Sequence, residues 1–441
     1  MESSYFRACT SPIFWLKETV AHPSLRAKWR ECSGVDGWGR AHLDAYIREK
    51  LSKLLYHAAT TVPYYKARID GQKIRNGSLT VEDFPIISKQ DIRGHEIEFL
   101  SNRYNLQNLE RQRTSGSTGE PFVFYRSKES FDYTYATLWR GLLRFGIRPG
   151  HKRAFIKGIY ETANPSAKVR VLHRLNGLVN KCIFVDAHFL ASADANIKAA
   201  LDRILGYRPR YIHGYASTIH LLAQYAERNN IDCSHLNLLA VITESEKCHS
   251  FQRETIERVF HAPVVENYGS VEFGMIAQPG KDGRLYINED HVYVETTTDA
   301  EAVFTNLDEY GFPLIRFKNG DKLTLGGAGG ELPYKTIKSI EGRVAETIYL
   351  PQGGSLQGYI VMYPISKHMK YLREYQVYQP DIDNLFVRVV ESEPLPTEIE
   401  AQIVSEMRKI VGDVINVKVQ KVNSIPLTKR GKRAFVCSEV R

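Results

Sequence analysis

Two glycines and four hydroxyls fall within Thr114-Ser115-Gly116-Ser117-Thr118-Gly119-Glu120-Pro121, set between a charged segment at 109–113 and an apolar run at 122–125. Gly116 and Gly119 remove the Cβ atoms that would hold an anion off the backbone, so hydroxyls and N–H groups can turn toward phosphate oxygens. The stretch reads as a phosphate cradle. It is not a Walker loop, which needs Gly-x-x-x-x-Gly-Lys and then Ser or Thr, because Glu120-Pro121 follows the second glycine. A Ser/Gly-rich surface turn is the competing reading, since the same residues dominate ordinary turns.

A loop that grips phosphate has to be held by rigid elements. Leu43, Tyr46, Ile47, Leu51, Leu54 and Leu55 recur at helical spacing and predict an amphipathic helix over 41–57, ended by Val62-Pro63-Tyr64-Tyr65. Pro85-Ile86-Ile87-Ser88-Lys89 predicts an extended entry into a short helix with Ser88 as N-cap. Phe131, Tyr135, Leu138, Leu142 and Leu143 predict a helix after the cradle, which would then be bracketed by a strand and a helix.

From 153 to 267 short apolar runs alternate with helical patterns, which predicts a mostly parallel sheet covered by helices. Ligands in such sheets sit beyond the carboxyl ends of the strands, where His213-Gly214-Tyr215, Thr243 to Glu246 and Asn267 to Glu272 would share one rim. Alternating patterns from 286 to 325 predict antiparallel strands. Gly326-Gly327-Ala328-Gly329-Gly330 precedes Pro333 and extended residues rather than a helix, so it is expected to be a flexible turn and not a dinucleotide fingerprint. Strands near 359–363, 371–378 and 385–390, a helix over 397–411 and a strand over 414–422 predict a small α+β unit. The expected fold class is α/β: a large N-terminal domain (1–342) with mostly parallel sheets and an antiparallel β subdomain, then a small α+β C-terminal domain (343–441).

At 441 residues the chain is too long for one compact core. Its net charge of +9 is a modest excess that could attract a nucleotide, an acidic sugar, nucleic acid or an anionic membrane, and alone it selects none of them. The densest basic cluster, Lys429-Arg430-Gly431-Lys432-Arg433, is too short to predict nucleic-acid binding. The scattered cysteines form no Cys-x-x-Cys pair, which argues against a zinc site or a disulfide scaffold and for a reducing, cytoplasmic setting. No apolar run approaches a membrane span or a signal peptide, so an integral membrane segment is not expected.

Four further stretches follow the cradle in order. They are Asn267-Tyr268-Gly269-Ser270-Val271-Glu272; Thr305-Asn306-Leu307-Asp308 through Pro313-Leu314-Ile315-Arg316-Phe317 to Gly320-Asp321; Ile340-Glu341-Gly342-Arg343; and Ile425-Pro426-Leu427-Thr428-Lys429-Arg430-Gly431-Lys432. Together these resemble the ordered core motifs of the adenylate-forming ligases. Within that superfamily the chain is most similar to the phenylacetate-CoA ligase family and its relatives from capsular polysaccharide clusters. Ala58 to Tyr65 and Pro85 to Lys89 resemble that branch's N-terminal signatures. The likeness covers all but about the first 40 residues.

The resemblance implies a two-step reaction. A carboxylate attacks the α-phosphate of Mg-ATP to give an acyl-adenylate and pyrophosphate, and a thiol or amine then displaces AMP. It implies that Lys432 bridges carboxylate and α-phosphate, with Thr114, Ser115, Gly116, Ser117, Thr118 and Gly119 around the β- and γ-phosphates. Tyr268 would offer adenine an aromatic face with Glu246 as a further adenine contact, and Asn267, Gly269 and Ser270 would also bind the nucleotide. Asp321 would accept from the ribose hydroxyls with Arg343 behind it, and Glu272 would position magnesium. Positive charge and oriented donors are what an in-line attack between two anions requires. Valine at 271 stands where the family often has a threonine, leaving Ser270 as the hydroxyl there. Some relatives bind zinc after the Glu272 motif, but Gln278, Gly280 and Leu285 are not ligands, so no zinc is expected. The C-terminal domain is expected to be mobile, a hinge near Arg343 bringing Lys432 in for the first step and withdrawing it for the second.

The acid is expected near Lys157, Tyr160, His213 and Tyr215, whose cationic and aromatic character favours a polar or anionic acid, such as a uronic acid or amino acid, over a fatty chain. Polysaccharide relatives imply a sugar-linked acid and an amide product, whereas the phenylacetate branch implies an aryl acid and coenzyme A. A non-catalytic nucleotide-binding scaffold and a phosphotransferase using the same loop are the readings from other classes, and the second lacks a recognisable catalytic-base motif.

Overall fold

The structure is a computed structural model that describes residues 12–114, 122–157, 177, 179–187, 190, 194–343, 347–351, 353, 355–357, 361–362, 364–365, 367–412, 414–427 and 433–440. In chain order its main elements begin with α1 (Arg40–Thr61), α2 (Lys89–Ile92), β1 (Glu110–Thr114), β2 (Phe122–Arg126) and α3 (Lys128–Arg144). Next come β3 (Arg153–Lys157), β4 (Cys182–Asp186), α4 (Asp194–Tyr207), β5 (Tyr211–Gly214), α5 (Ala216–Arg228), β6 (Ala240–Glu244) and α6 (Ser250–Phe260). The strands β7 (Val264–Ser270), β8 (Gly274–Pro279), β9 (Leu285–Ile287), β10 (Val292–Thr296), β11 (Glu301–Asn306), β12 (Phe317–Ala328) and β13 (Lys335–Arg343) follow. The C-terminal part holds β14 (Thr347–Tyr349), β15 (Ser355–Gln357), β16 (Leu372–Asp381), β17 (Asn384–Glu391), α7 (Thr397–Val411), β18 (Asn416–Lys421) and β19 (Val436–Ser438). The chain divides into two compact units, one of residues 1–151 and 265–340, the other of residues 152–264 and 341–441.

In the first unit the strands run in the order β10-β11-β12-β13-β9-β8-β7, with β1 and β2 as a separate antiparallel pair. Helix α1 buries Leu43, Ile47, Leu54 and Leu55 in a core shared with Phe122, Phe124, Phe273, Phe304 and Phe317. Lys50 on the same face is buried too, because its ammonium reaches the Asp308 carboxylate at 2.6 Å and the Asp290 carbonyl at 2.8 Å. Arg140 of α3 grips both oxygens of Asp290 at 2.8 Å. Burial alone would raise the Asp290 pKa, yet the Arg140 guanidinium holds it at about 2. A buried carboxylate that lost such a partner would be costly, so these pairs fix how α1 and α3 sit on the 288–308 segment.

Ser88 caps α2 as expected, within a reciprocal capping box with Asp91. Ile87 bridges Phe317 in parallel, which ties this entry segment to the start of β12. Val62 ends α1, and Pro63 then opens a short helix, Pro63–Lys66, instead of merely closing the previous one. The segment around the cradle differs from expectation. Thr114 ends β1 and Phe122 begins β2, so two strands of a hairpin flank it and α3 comes only after β2. Gly326 and Gly327 belong to β12, and the turn toward β13 begins only at the positive-φ pair Gly329 and Gly330.

The second unit bears out the alternation read from sequence. Its parallel strands run in the order β6-β5-β3-β4. Ala154, Ile156, Ile212 and Val241 pack with Ile197, Leu201, Ile219, Leu222 and Ile256 of the covering helices. Strand β4, Cys182-Ile183-Phe184-Val185-Asp186, escaped the sequence reading. In the C-terminal part the order is β18-β17-β16-β19, with α7 spanning the predicted residues. Val361 and Met362 are helical, against the strand expected over 359–363, whose other members lie outside the described residues. Among the described residues no helix is long and apolar enough to cross a membrane.

Candidate functional site

Strand β7 carries Asn267, Tyr268, Gly269 and Ser270, and it turns into β8 immediately afterward. A Cβ on Gly269 would lie 2.3 Å from the Gly274 carbonyl oxygen, so only glycine permits the turn to close. Gly274 has φ of +69°, and a Cβ there would lie 2.3 Å from Thr134 Cγ2. The turn holds neighbouring side chains in fixed places. Ser270 Oγ accepts from the Phe273 N–H at 3.2 Å. The Tyr268 hydroxyl donates to Asp321 Oδ2 at 2.6 Å. Asp321, on β12, also accepts from Asn319 Nδ2 at 2.8 Å, while its own N–H donates to Asn319 Oδ1 at 2.9 Å. A carboxylate held this way keeps its orientation.

The Asn267 side chain is 4% exposed, and neither its amide oxygen nor its nitrogen has a partner among the described residues. A buried amide without a partner is costly, and a ligand with complementary edges would relieve it. Glu272 is also buried, and Lys89 Nζ stands 3.4 Å from its Oε1. Lys89 is the first residue of α2, so the capping box at Ser88 and the Ile87 bridge aim its ammonium at the Glu272 motif. Among the described residues no group of three or more His, Cys, Asp or Glu side chains could hold a metal by itself. A single buried carboxylate does fit magnesium, which is commonly held by one or two carboxylates plus substrate phosphates.

In the second unit Lys157 ends β3 and Glu244 ends β6, with His213 on β5 between them. Glu244 Oε1 pairs with Lys157 Nζ, and its Oε2 lies 2.9 Å from His213 Nε2. Burial lowers the His213 pKa, with Glu244 acting against it. For Glu244 burial works upward, but His213 and Lys157 together hold the carboxyl below its ordinary value. Tyr215 is 4% exposed at the start of α5. Glu246 Oε1 accepts from the Ser217 N–H at 2.5 Å and so caps α5, a helix N-terminus that favours negative charge.

The structure thus joins Tyr268 with Asp321 in one unit and Lys157 with His213 in the other. Ser115 to Gly119, Tyr160 and Lys432 lie outside the described residues, as do the side chains of Thr114 and Arg343, which end β1 and β13. Sequence reasoning missed Lys89 as a partner of Glu272, and Glu244 as the residue that pairs the expected cation. Lys89 was within reach, as the residue after a capping serine in a motif already singled out. Glu244 stood beside Glu246 in Thr243-Glu244-Ser245-Glu246, and Ser245, at φ +72° just past the end of β6, breaks the strand between them.

Residues 348–439 match the CapK C-terminal domain family. Protein CapK of Staphylococcus aureus is 27% identical over 388 residues, spanning 85% of this chain and 84% of that protein. Among solved structures, a 2-hydroxyisobutyryl-CoA ligase in the postadenylation state is similar with a TM-score of 0.72 at 17% identity, covering 92% of this chain and 91% of that one. An anthranilate CoA ligase, AuaEII, is similar with a TM-score of 0.52 at 13% identity, covering 73% of this chain and 64% of that one. The chain is therefore a relative of CapK, carries a CapK C-terminal domain, and has the fold of the adenylate-forming ligases.

Proposed function

We propose that the chain is an ATP-dependent, AMP-forming ligase that activates a carboxylic acid as its acyl-adenylate and transfers the acyl group to a thiol or an amine. In the first step a carboxylate oxygen bonds to the α-phosphorus as the bond to pyrophosphate breaks. In the second the acceptor bonds to the acyl carbon and AMP leaves. Asp321, held by the Tyr268 hydroxyl at 2.6 Å, is the observation that carries this reading. It is an oriented acceptor pair for ribose hydroxyls, and the unpartnered amide of Asn267 on the strand that bears Tyr268 suits a nucleobase edge. Glu272 supplies the carboxylate for Mg-nucleotide, with Thr114 to Gly119 as the phosphate cradle and Lys432 as the bridging cation.

The motif resemblance to relatives from capsular polysaccharide clusters favours an amide-forming step in polysaccharide synthesis, and likeness to a CoA ligase favours a thioester with coenzyme A. The deciding experiment is acid-dependent exchange of labelled pyrophosphate into ATP across a panel of acids. Mass measurement of products formed with coenzyme A and with amines would come next. Exchange that depends on an added acid is expected. Nucleotide binding without exchange would leave the chain a scaffold, and phosphate transfer without AMP would make it a phosphotransferase.

A further inference from the structure

The ends of β4, β3, β5 and β6 carry a patch whose chemistry is narrower than the proposed activity requires, and the substrate class it selects depends on that activity. Register pairs Phe155 with Phe184 and with His213, and Lys157 with Asp186. With a period of two, Phe155, Lys157, Phe184, Asp186, His213 and Glu244 share one sheet face, opposite the face that packs Ala154, Ile156 and Val241 on the helices. Phe155 meets Phe184 edge-on at 5.8 Å and His213 at 5.1 Å, and Lys157 Nζ sits 5.1 Å from the Phe155 ring centre. The ion pair is not sealed, since the Lys157 side chain is 31% exposed and that of Glu244 17%.

Charge decides what can bind here. Lys157 and Glu244 cancel, burial keeps His213 neutral, and register sets the Asp186 carboxylate beside Lys157, so the strand ends carry no excess positive charge. A second carboxylate on the substrate would find the ammonium already engaged and Glu244 repelling it. A substrate ammonium would meet Glu244 but also Lys157. A plain alkyl or aryl group would cover the pair while satisfying none of its remaining lone pairs or N–H donors, which is costly. A hydroxyl both donates and accepts. Two neighbouring hydroxyls can give one hydrogen to Glu244 and take one from Lys157, with their carbon skeleton against the Phe155 and Phe184 rings.

We infer that the acid activated by this chain is uncharged and hydroxyl-rich at its non-reacting end, as a sugar acid is, and that Glu244 and Lys157 read those hydroxyls. The test is pyrophosphate exchange with glucuronate and gluconate against phenylacetate, glutarate and alanine, on the wild-type chain and on Glu244→Gln and Lys157→Met. The hydroxylated acids are expected to show the highest kcat/KM. Glu244→Gln should raise their KM about 10-fold or more, the size of one lost hydrogen bond to a charged group, with the KM for ATP unchanged. Preference for phenylacetate, glutarate or alanine in the wild-type chain would overturn the inference while leaving the ligase standing. So would variants that keep the wild-type order of acids. No exchange with any acid, from a chain that still binds ATP, would remove the ligase reading and this inference with it.

Discussion

Tyr268→Phe isolates one contact on which the nucleotide reading leans. The substitution keeps the ring and removes only the hydroxyl that donates to Asp321 Oδ2 at 2.6 Å. A hydrogen bond to a charged group contributes about 1.5–3 kcal/mol. Asn319 still holds the carboxylate at 2.8 Å, so the lower end, about 1.5 kcal/mol, applies, or about 10-fold in the ATP dissociation constant. Asp321→Ala removes the ribose acceptors themselves and should weaken ATP by a further order of magnitude. If tyrosine acts only by orienting the carboxylate, adding Tyr268→Phe to Asp321→Ala should cost almost nothing more, which a double-mutant cycle read by calorimetric titration measures. Unchanged ATP affinity in Tyr268→Phe, or full additivity of the two changes, would refute this account of Asp321.

Lys432→Ala should abolish acid-dependent pyrophosphate exchange, a loss of at least about 10²- to 10³-fold, yet spare acyl transfer from a premade acyl-adenylate. Equal loss of both half-reactions would count against a lysine used in the first step alone. Gly269→Ala drives a methyl toward the Gly274 carbonyl and should destabilise the first unit by about 1–3 kcal/mol, seen as a lower denaturation midpoint. In the second unit burial pushes His220 down to about 3 and His249 down to about 4, so both stay neutral when folded. The unfolded chain protonates them below about pH 6.5, so stability should fall as pH drops from there toward 4, before the carboxylates contribute. A thermal midpoint that stays flat across this interval would contradict the burial of these histidines, and His220→Gln should flatten the slope.

Periodicity made α1, α7 and the parallel strands legible, because a buried face imposes its spacing on the residues that form it. Ser88 announced its helix for an equally local reason, a side chain capping N–H groups within its own turn. Pairing between distant segments leaves no such local trace. Thr114 and Phe122 face each other across a hairpin, and Gly326 and Gly327 are strand residues, because partner strands satisfy their backbone groups.

The same division runs through the site. Residue types and motif order determined from the sequence alone that Tyr268, Asp321, Glu272 and Lys157 were candidates, since each brings a hydroxyl, a carboxylate or a cation in a recognisable context. Which of them touch was decided only by tertiary structure. Lys89 meets Glu272 across 183 positions, Tyr268 meets Asp321 across 53, and Glu244 neutralises Lys157. Charge that sequence can only count is cancelled or left standing by strand register, and strand register is set by the packing of the whole unit.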